Sequence, residues 1–250
     1  MTWLRALLFN LCFYLSTAGF CIAYLPLLWA DRRILVRGMD RWNRLVNWLL
    51  RHIVGLRHEV RGLEHLPDGP CIVAAKHQSA WDTMMFHSLL DDPALVMKKE
   101  LLRIPLYGTY ARRVGMIPVD RSAGATALRE MLRVARACAD AGRPIVIFPE
   151  GTRVAPGERR RLQAGIAALY DRLDLPVVPV ALNSGLFWGR KAFMKRSGTI
   201  LMEFLPPIPA GLKRPEFITL LEAAIQDGSD RLAMEARAGI APGTSVKTDT

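Results

Sequence analysis

Residues 6–30 (ALLFNLCFYLSTAGFCIAYLPLLWA) run for 25 positions without a charged side chain, the longest such stretch in the chain. A helix from Ala6 to Leu25 is roughly 30 Å long, about the thickness of a bilayer's hydrocarbon core, before Pro26 interrupts it. That length favours a membrane span or re-entrant anchor over a cleaved signal peptide, whose apolar region of about 7–15 residues normally follows several positive charges. Here only Arg5 precedes the run. Residues 41–56 then place Trp42, Leu45, Val46, Leu49, Leu50 and Ile53 at helical spacing, with Arg44, Asn47 and Arg51 opposite. The apolar face of this amphipathic helix either lies in a membrane interface or packs on the rest of the protein.

From about residue 58 the pattern changes to short apolar runs alternating with amphipathic stretches, without internal repeats. Strands are predicted at 59–63, 71–75, 94–97, 115–119, 144–148, 176–182 and 199–204, several of them continuous apolar runs suited to burial on both faces. Helices are predicted at 125–140 and 161–173, after Asp82, and around Phe217–Ile225. Such alternation predicts an α/β domain. The chain therefore divides into anchoring helices (1–57), an α/β domain (58–237) and a small-residue, polar tail (238–250) with the composition of a disordered segment.

Composition sharpens this picture. The chain is 51% hydrophobic yet carries 34 Lys+Arg against 23 Asp+Glu, a net charge of +11, and a disordered basic tail lacks that much apolar surface. Arg32, Arg33, Arg37, Arg41 and Arg44 follow the apolar run against Asp31 and Asp40, which by the positive-inside tendency puts everything after the anchor on the cytoplasmic side. The four cysteines (Cys12, Cys21, Cys71, Cys138) form no Cys-x-x-Cys pair and read as reduced thiols. No cluster with zinc-site spacing predicts a metal, and no aromatics interleave the arginines as a nucleic-acid module needs. A basic surface alone also fits a non-catalytic protein bound to anionic lipid, since each Lys or Arg near such a leaflet contributes about 1 kcal/mol.

Candidate chemistry lies at strand ends. The strand 71–75 runs into Lys76-His77-Gln78-Ser79-Ala80-Trp81-Asp82. On one regular helix His77 and Asp82 would point about 140° apart, but a loop histidine and a helix-start aspartate can meet. The pair is then either a base oriented by a carboxylate or a loop histidine beside a capping aspartate. The strand 144–148 ends in Pro149-Glu150-Gly151-Thr152-Arg153, placing a carboxylate, a flexible backbone and a guanidinium at the carboxyl edge of the sheet. Arg153 there either grips a phosphate or pairs with Glu150 on a surface turn. Ser79 and Ser184 lie outside any Gly-x-Ser-x-Gly elbow, which argues against a serine hydrolase.

Together these segments resemble the glycerolipid acyltransferase family, most closely its bacterial-type 1-acylglycerol-3-phosphate acyltransferases, over roughly residues 58–210. The His-x4-Asp box is His77 to Asp82, Phe148–Arg153 reads Phe-Pro-Glu-Gly-Thr-Arg, Ile117–Arg121 is similar to Ile-Pro-x-x-Arg, and Val178-Pro179-Val180 matches Val-Pro-Val. Lys76 replaces the Asn common before the His, and Arg159–Gly165 replaces a Lys-Lys-Gly-like stretch. The resemblance implies a mixed, largely parallel sheet flanked by helices, with His77 as base and Asp82 as its orienter. It implies a lysophosphatidic acid phosphate held by Glu150, Gly151, Thr152, Arg153 and Arg121, with Lys98 and Lys99 as further contacts and Pro179 and Val180 at the acyl donor or chain. It further implies acyl-CoA or acyl carrier protein as donor, no cofactor or metal, phosphatidic acid as product, and a bacterial inner-membrane location. Other lysolipid acceptors fit the same boxes.

Overall fold

The computed structural model describes residues 3–120 and 123–239. Helix α1 (Trp3–Ala23) is followed by a 3-10 turn at Leu25–Trp29, where Pro26 ends the α-helical run. Asp31 accepts the Arg33 amide at 2.7 Å and so caps α2 (Arg32–Leu49), which starts nine residues before the amphipathic pattern becomes obvious. A π turn at Leu50–Val54 closes α2, and Gly55 adopts φ 77, a conformation that glycine takes at little cost.

Seven strands follow among the described residues: β1 (Leu56–Arg61), β2 (Ile72–Ala75), β3 (Ala94–Lys98), β4 (Ile117–Val119), β5 (Ile145–Ile147), β6 (Val177–Leu182) and β7 (Gly198–Phe204). They form one sheet in the order β1-β7-β6-β2-β5-β3-β4, parallel at every junction except β6–β7. This is the mixed, largely parallel sheet expected. β1 starts and stops earlier than the apolar pattern suggested, because Gly62 turns the chain at φ 73 and a Cβ there would lie 2.0 Å from the Phe204 carbonyl oxygen. Pro179 is tolerated within β6 because its missing amide faces the end of the β7 pairing, where only its carbonyl is needed, accepting the Leu205 amide at 2.9 Å.

Side-chain alternation along the buried strands divides the core into two layers. Val73, Ala75, Val146, Val178 and Val180 face α1, α2 and α3 (Ala80–Leu89), meeting Phe9, Leu35, Val46, Trp81 and Phe86. Ile72, Ala74, Ile145 and Val177 face α5 (Gly124–Asp140), α6 (Ala164–Leu173) and α7 (Arg214–Ala238), meeting Met131, Leu169, Leu221 and Ile225. A short α4 (Tyr107–Arg113) joins β3 to β4.

The structure decides between the two roles open to the amphipathic helix: α2 packs on α3. Asn43 Nδ2 donates to Ser88 Oγ at 2.5 Å and Trp81 Nε1 donates to Asn47 Oδ1 at 2.9 Å. By contrast α1 buries only Ala6 and Phe9, leaving Leu4, Leu11, Tyr14, Leu15 and Ile22 exposed. It is long and apolar enough to cross a membrane. At the other end α7 continues through Ala238, so the segment read as a tail begins as helix, and residues 240–250 lie outside the described residues.

Candidate active site

Five strands run in one direction, so the carboxyl ends of β2, β5, β6, β3 and β4 share one edge of the sheet, where α/β folds form ligand crevices. β2 lies at the middle, with β5 and β6 as its neighbours. The loops leaving these three strands make the site.

After β2, Ser79 caps α3 by accepting the Trp81 amide at 3.2 Å, and Asp82 completes a capping box. Asp82 Oδ2 accepts the amides of Gln78 and Ser79, each at 2.7 Å, and lies 3.1 Å from His77 Nδ1. The two readings of this aspartate are therefore not alternatives: one oxygen caps the helix and holds the imidazole. Its other oxygen, Oδ1, accepts the Ser184 hydroxyl at 2.6 Å. Asp82 is fully buried, whereas the His77 side chain keeps 12% of its surface exposed. With Nδ1 donating to the carboxylate, Nε2 carries the lone pair and points away from Asp82. The ring is further fixed by stacking on Phe148, centroids 4.1 Å apart at 27°.

The loop after β5 runs alongside, its Val154 amide donating to the His77 carbonyl at 2.7 Å. Glu150 does not pair with Arg153, nor does it face outward as a phosphate ligand would. Its carboxylate turns inward, with Oε1 2.5 Å from Lys76 Nζ and Oε2 accepting the His77 amide at 3.3 Å. Lys76 and Glu150 expose only 1% and 2% of their side chains, and Lys76 Nζ also donates to Gln226 Oε1 on α7 at 2.9 Å. Burial pushes the Glu150 carboxyl up, a shift that Lys76 opposes. Gly151 makes the turn at φ 73, while Thr152 and Arg153 stay half-buried at the crevice. Among the described residues the Arg153 guanidinium makes no hydrogen bond or ion pair, so it is available to an anion.

The remaining expectations fare differently. Lys98 and Lys99 are exposed at the end of β3, and Lys99 lies 3.3 Å from Asp120 Oδ2. Arg121 lies outside the described residues. Pro179 and Val180 are buried inside β6 between β2 and β7, so they build the sheet and offer no surface to an acyl chain; that expectation is corrected. Next to the loop after β6, a cleft of about 460 Å³ is lined by Pro156, Gly185, Leu186, Phe187, Met194 and Arg196. Sequence reasoning missed Lys76, visible only as a departure from the motif, and Ser184, considered only as a nucleophile. The signal for Ser184 is its place just past the end of β6, the strand beside β2.

The acyltransferase family model matches residues 57–183, which hold both boxes. Over 230 residues the chain is 34% identical to a 1-acyl-sn-glycerol-3-phosphate acyltransferase of Pseudomonas aeruginosa, covering 92% of this chain and 87% of the relative. It is 30% identical over 193 residues to the human 1-acyl-sn-glycerol-3-phosphate acyltransferase alpha, covering 74% and 68%. The crystal structure of the 1-acyl-sn-glycerophosphate (LPA) acyltransferase from Thermotoga maritima matches with a TM-score of 0.77 at 21% identity, over 93% of this chain and 98% of that one.

Proposed function

The chain belongs to the acyltransferase family, and from that premise we propose that it esterifies the sn-2 hydroxyl of 1-acylglycerol-3-phosphate with the acyl group of an acyl-CoA or acyl carrier protein. The product is phosphatidic acid for phospholipid synthesis. The observation that carries this reading is the His77–Asp82 pair, 3.1 Å apart, with both serines nearest it among the described residues fully buried, Ser79 capping α3 and Ser184 bonded to Asp82. That arrangement favours a base that serves a hydroxyl arriving with the substrate.

His77 Nε2 takes the hydroxyl proton as the oxygen attacks the thioester carbonyl, and Asp82 stabilises the imidazolium through Nδ1–H. When the tetrahedral intermediate collapses, the carbon–sulfur bond breaks and the imidazolium returns its proton to the departing thiolate, so the base is regenerated without an acyl-enzyme. The chain itself supplies the proton shuttle, and no resident cofactor or metal enters the balance. Arg153, half-buried and without a partner among the described residues, receives the acceptor phosphate, with Thr152 and the Gly151 backbone beside it. Lys98 and Lys99 add positive charge along the same edge, and the family resemblance adds Arg121 as a further phosphate contact. The cleft at Gly185–Phe187, apolar with Arg196 at its margin, suits an acyl thioester whose carrier bears phosphate.

In this reading α1 anchors the enzyme in a membrane, and the arginines of α2 support, by the positive-inside tendency, a catalytic domain on the cytoplasmic face of a bacterial inner membrane. A purified-protein assay across lysolipid acceptors with both donor types tests the proposal. Transfer to 1-acylglycerol-3-phosphate that disappears in His77→Ala is the expected result. Transfer that persists in that variant, or preference for a lysolipid without a terminal phosphate, overturns it.

A further inference from the structure

Three of the four bonds to the Asp82 carboxylate are local, from His77, Gln78 and Ser79 to Oδ2. The fourth comes from another element, because the Ser184 hydroxyl at the end of β6 donates to Oδ1 at 2.6 Å. The segment carrying it is itself clamped: Asn183 Nδ2 donates to the Leu232 carbonyl of α7 at 3.0 Å, and Asn183 Oδ1 accepts the Leu201 amide of β7 at 2.8 Å. The next residue holds the histidine loop directly, the Gly185 amide donating to Gln78 Oε1 at 2.9 Å. A Cβ on Gly185 would lie 2.9 Å from Pro156 and 3.0 Å from Gln78 Cβ, so the two loops approach about as closely as glycine permits.

We infer that Ser184 is a positioning residue for acyl transfer, its hydroxyl locking the rotation of the Asp82 carboxylate that aims His77 at the substrate hydroxyl. The physical reason is that rotation about the carboxylate's last bond is soft and broadly two-fold, and the three local bonds restrain it through one oxygen only, which leaves a residual swing. A donor on Oδ1, delivered from a strand end fixed by α7 and β7, removes that freedom. Ser184 also keeps Oδ1, which is buried, from being left without a partner. The inference rests on the acyl-transfer reading for its kinetic consequence but not for its geometry.

The test is Ser184→Ala, alone and combined with Asp82→Asn, assayed with 1-acylglycerol-3-phosphate and followed by thermal melting and by nitrogen-15 NMR of the His77 ring. Removing one oxygen leaves the fold intact, and kcat falls roughly tenfold, part of the about 10²–10⁴-fold that a positioned base contributes, while the acceptor KM stays within about twofold. In the Asp82→Asn background the same change costs little further rate, because the group it acts through is gone. The NMR spectrum shows His77 mostly as the Nδ1–H tautomer in the parent and as a mixture in Ser184→Ala. An unchanged kcat, an equal fold-loss in both backgrounds, or an unchanged tautomer population overturns the inference. A parent protein inactive with both donors counts against the acyl-transfer reading alone, and the tautomer comparison then decides the role of Ser184 without turnover.

Discussion

Lys76 and Glu150 meet at 2.5 Å with 1% and 2% of their side chains exposed, and each is costly to bury without the other. Lys76→Met strands a carboxylate under the His77 loop, and destabilisation of about 3–5 kcal/mol is expected in urea unfolding. Lys76→Met combined with Glu150→Leu removes both charges, and recovery to within about 1 kcal/mol of the parent is the expected outcome. Recovery of stability without recovery of rate would show that the pair aims the His77 backbone through the Glu150–amide bond. Arg153 is the opposite kind of residue, a cation that has no protein partner among the described residues. Arg153→Lys keeps the charge but loses the planar fork, so the acceptor KM is expected to rise about tenfold or more with kcat little changed. An unaltered KM removes Arg153 from the phosphate site. Sequence spacing allowed His77 and Asp82 to meet, as they do, but gave no sign that Glu150 turns inward to Lys76, because a motif names residues without saying which way a side chain turns.

α3 links the site to the core layer it shares with α1 and α2, starting at the Ser79–Asp82 capping box and carrying His87 in its last turn. His87 is 9% exposed and its Nδ1 finds no partner; burial, with a smaller contribution from Arg143, pushes its pKa down to about 4. The unfolded chain titrates near 6.5 and so binds this proton first as pH falls. The native state therefore keeps its full His87 contribution above pH ~6.5 and loses it progressively down to about 4, by at most roughly 3 kcal/mol. Unfolding of the parent and of His87→Met across that window checks the sign: the variant is expected to lose less stability on acidification. The helix itself was legible from Met84, Met85, Phe86, Leu89 and Leu90. Boundaries were less so, since β1 is cut short by a steric limit at Gly62 and α2 begins at a cap, Asp31, well before its apolar stripe. Both depend on local backbone geometry that hydrophobic periodicity does not record.

Over the whole molecule, a +11 chain that is half hydrophobic resolves into an apolar helix largely uncovered by protein and a basic α/β body. The joint between them combines aromatic packing of Phe9 and Phe13 on Trp188 with a buried polar contact. Lys195, 3% exposed, donates to Asn10 Oδ1 of α1 at 2.6 Å and lies 5.2 Å and 5.1 Å from the ring centroids of Phe9 and Trp188. Burial pushes the Lys195 pKa down to about 8. Asn10→Leu takes away the shorter of its two hydrogen bonds and leaves only the Phe193 carbonyl at 3.1 Å, so faster hydrogen exchange in α1 and around Trp188–Lys195 is expected, with Lys195→Met in the same chain restoring protection. Exchange that stays at the parent rate would show that apolar packing alone holds α1.

The sequence by itself determined the apolar helix, the alternation that makes an α/β sheet and the residue types of the two boxes, because periodicity and motif spacing are properties of the chain in one dimension. Only the tertiary structure decided that α2 packs on α3, that Glu150 turns inward to Lys76, that Pro179 and Val180 are core, and that Ser184 completes the hold on Asp82. The reason is physical: each of those outcomes depends on which strand ends become neighbours, and the order β6-β2-β5 brings together residues 76–82, 148–154 and 183–185, which the chain keeps far apart.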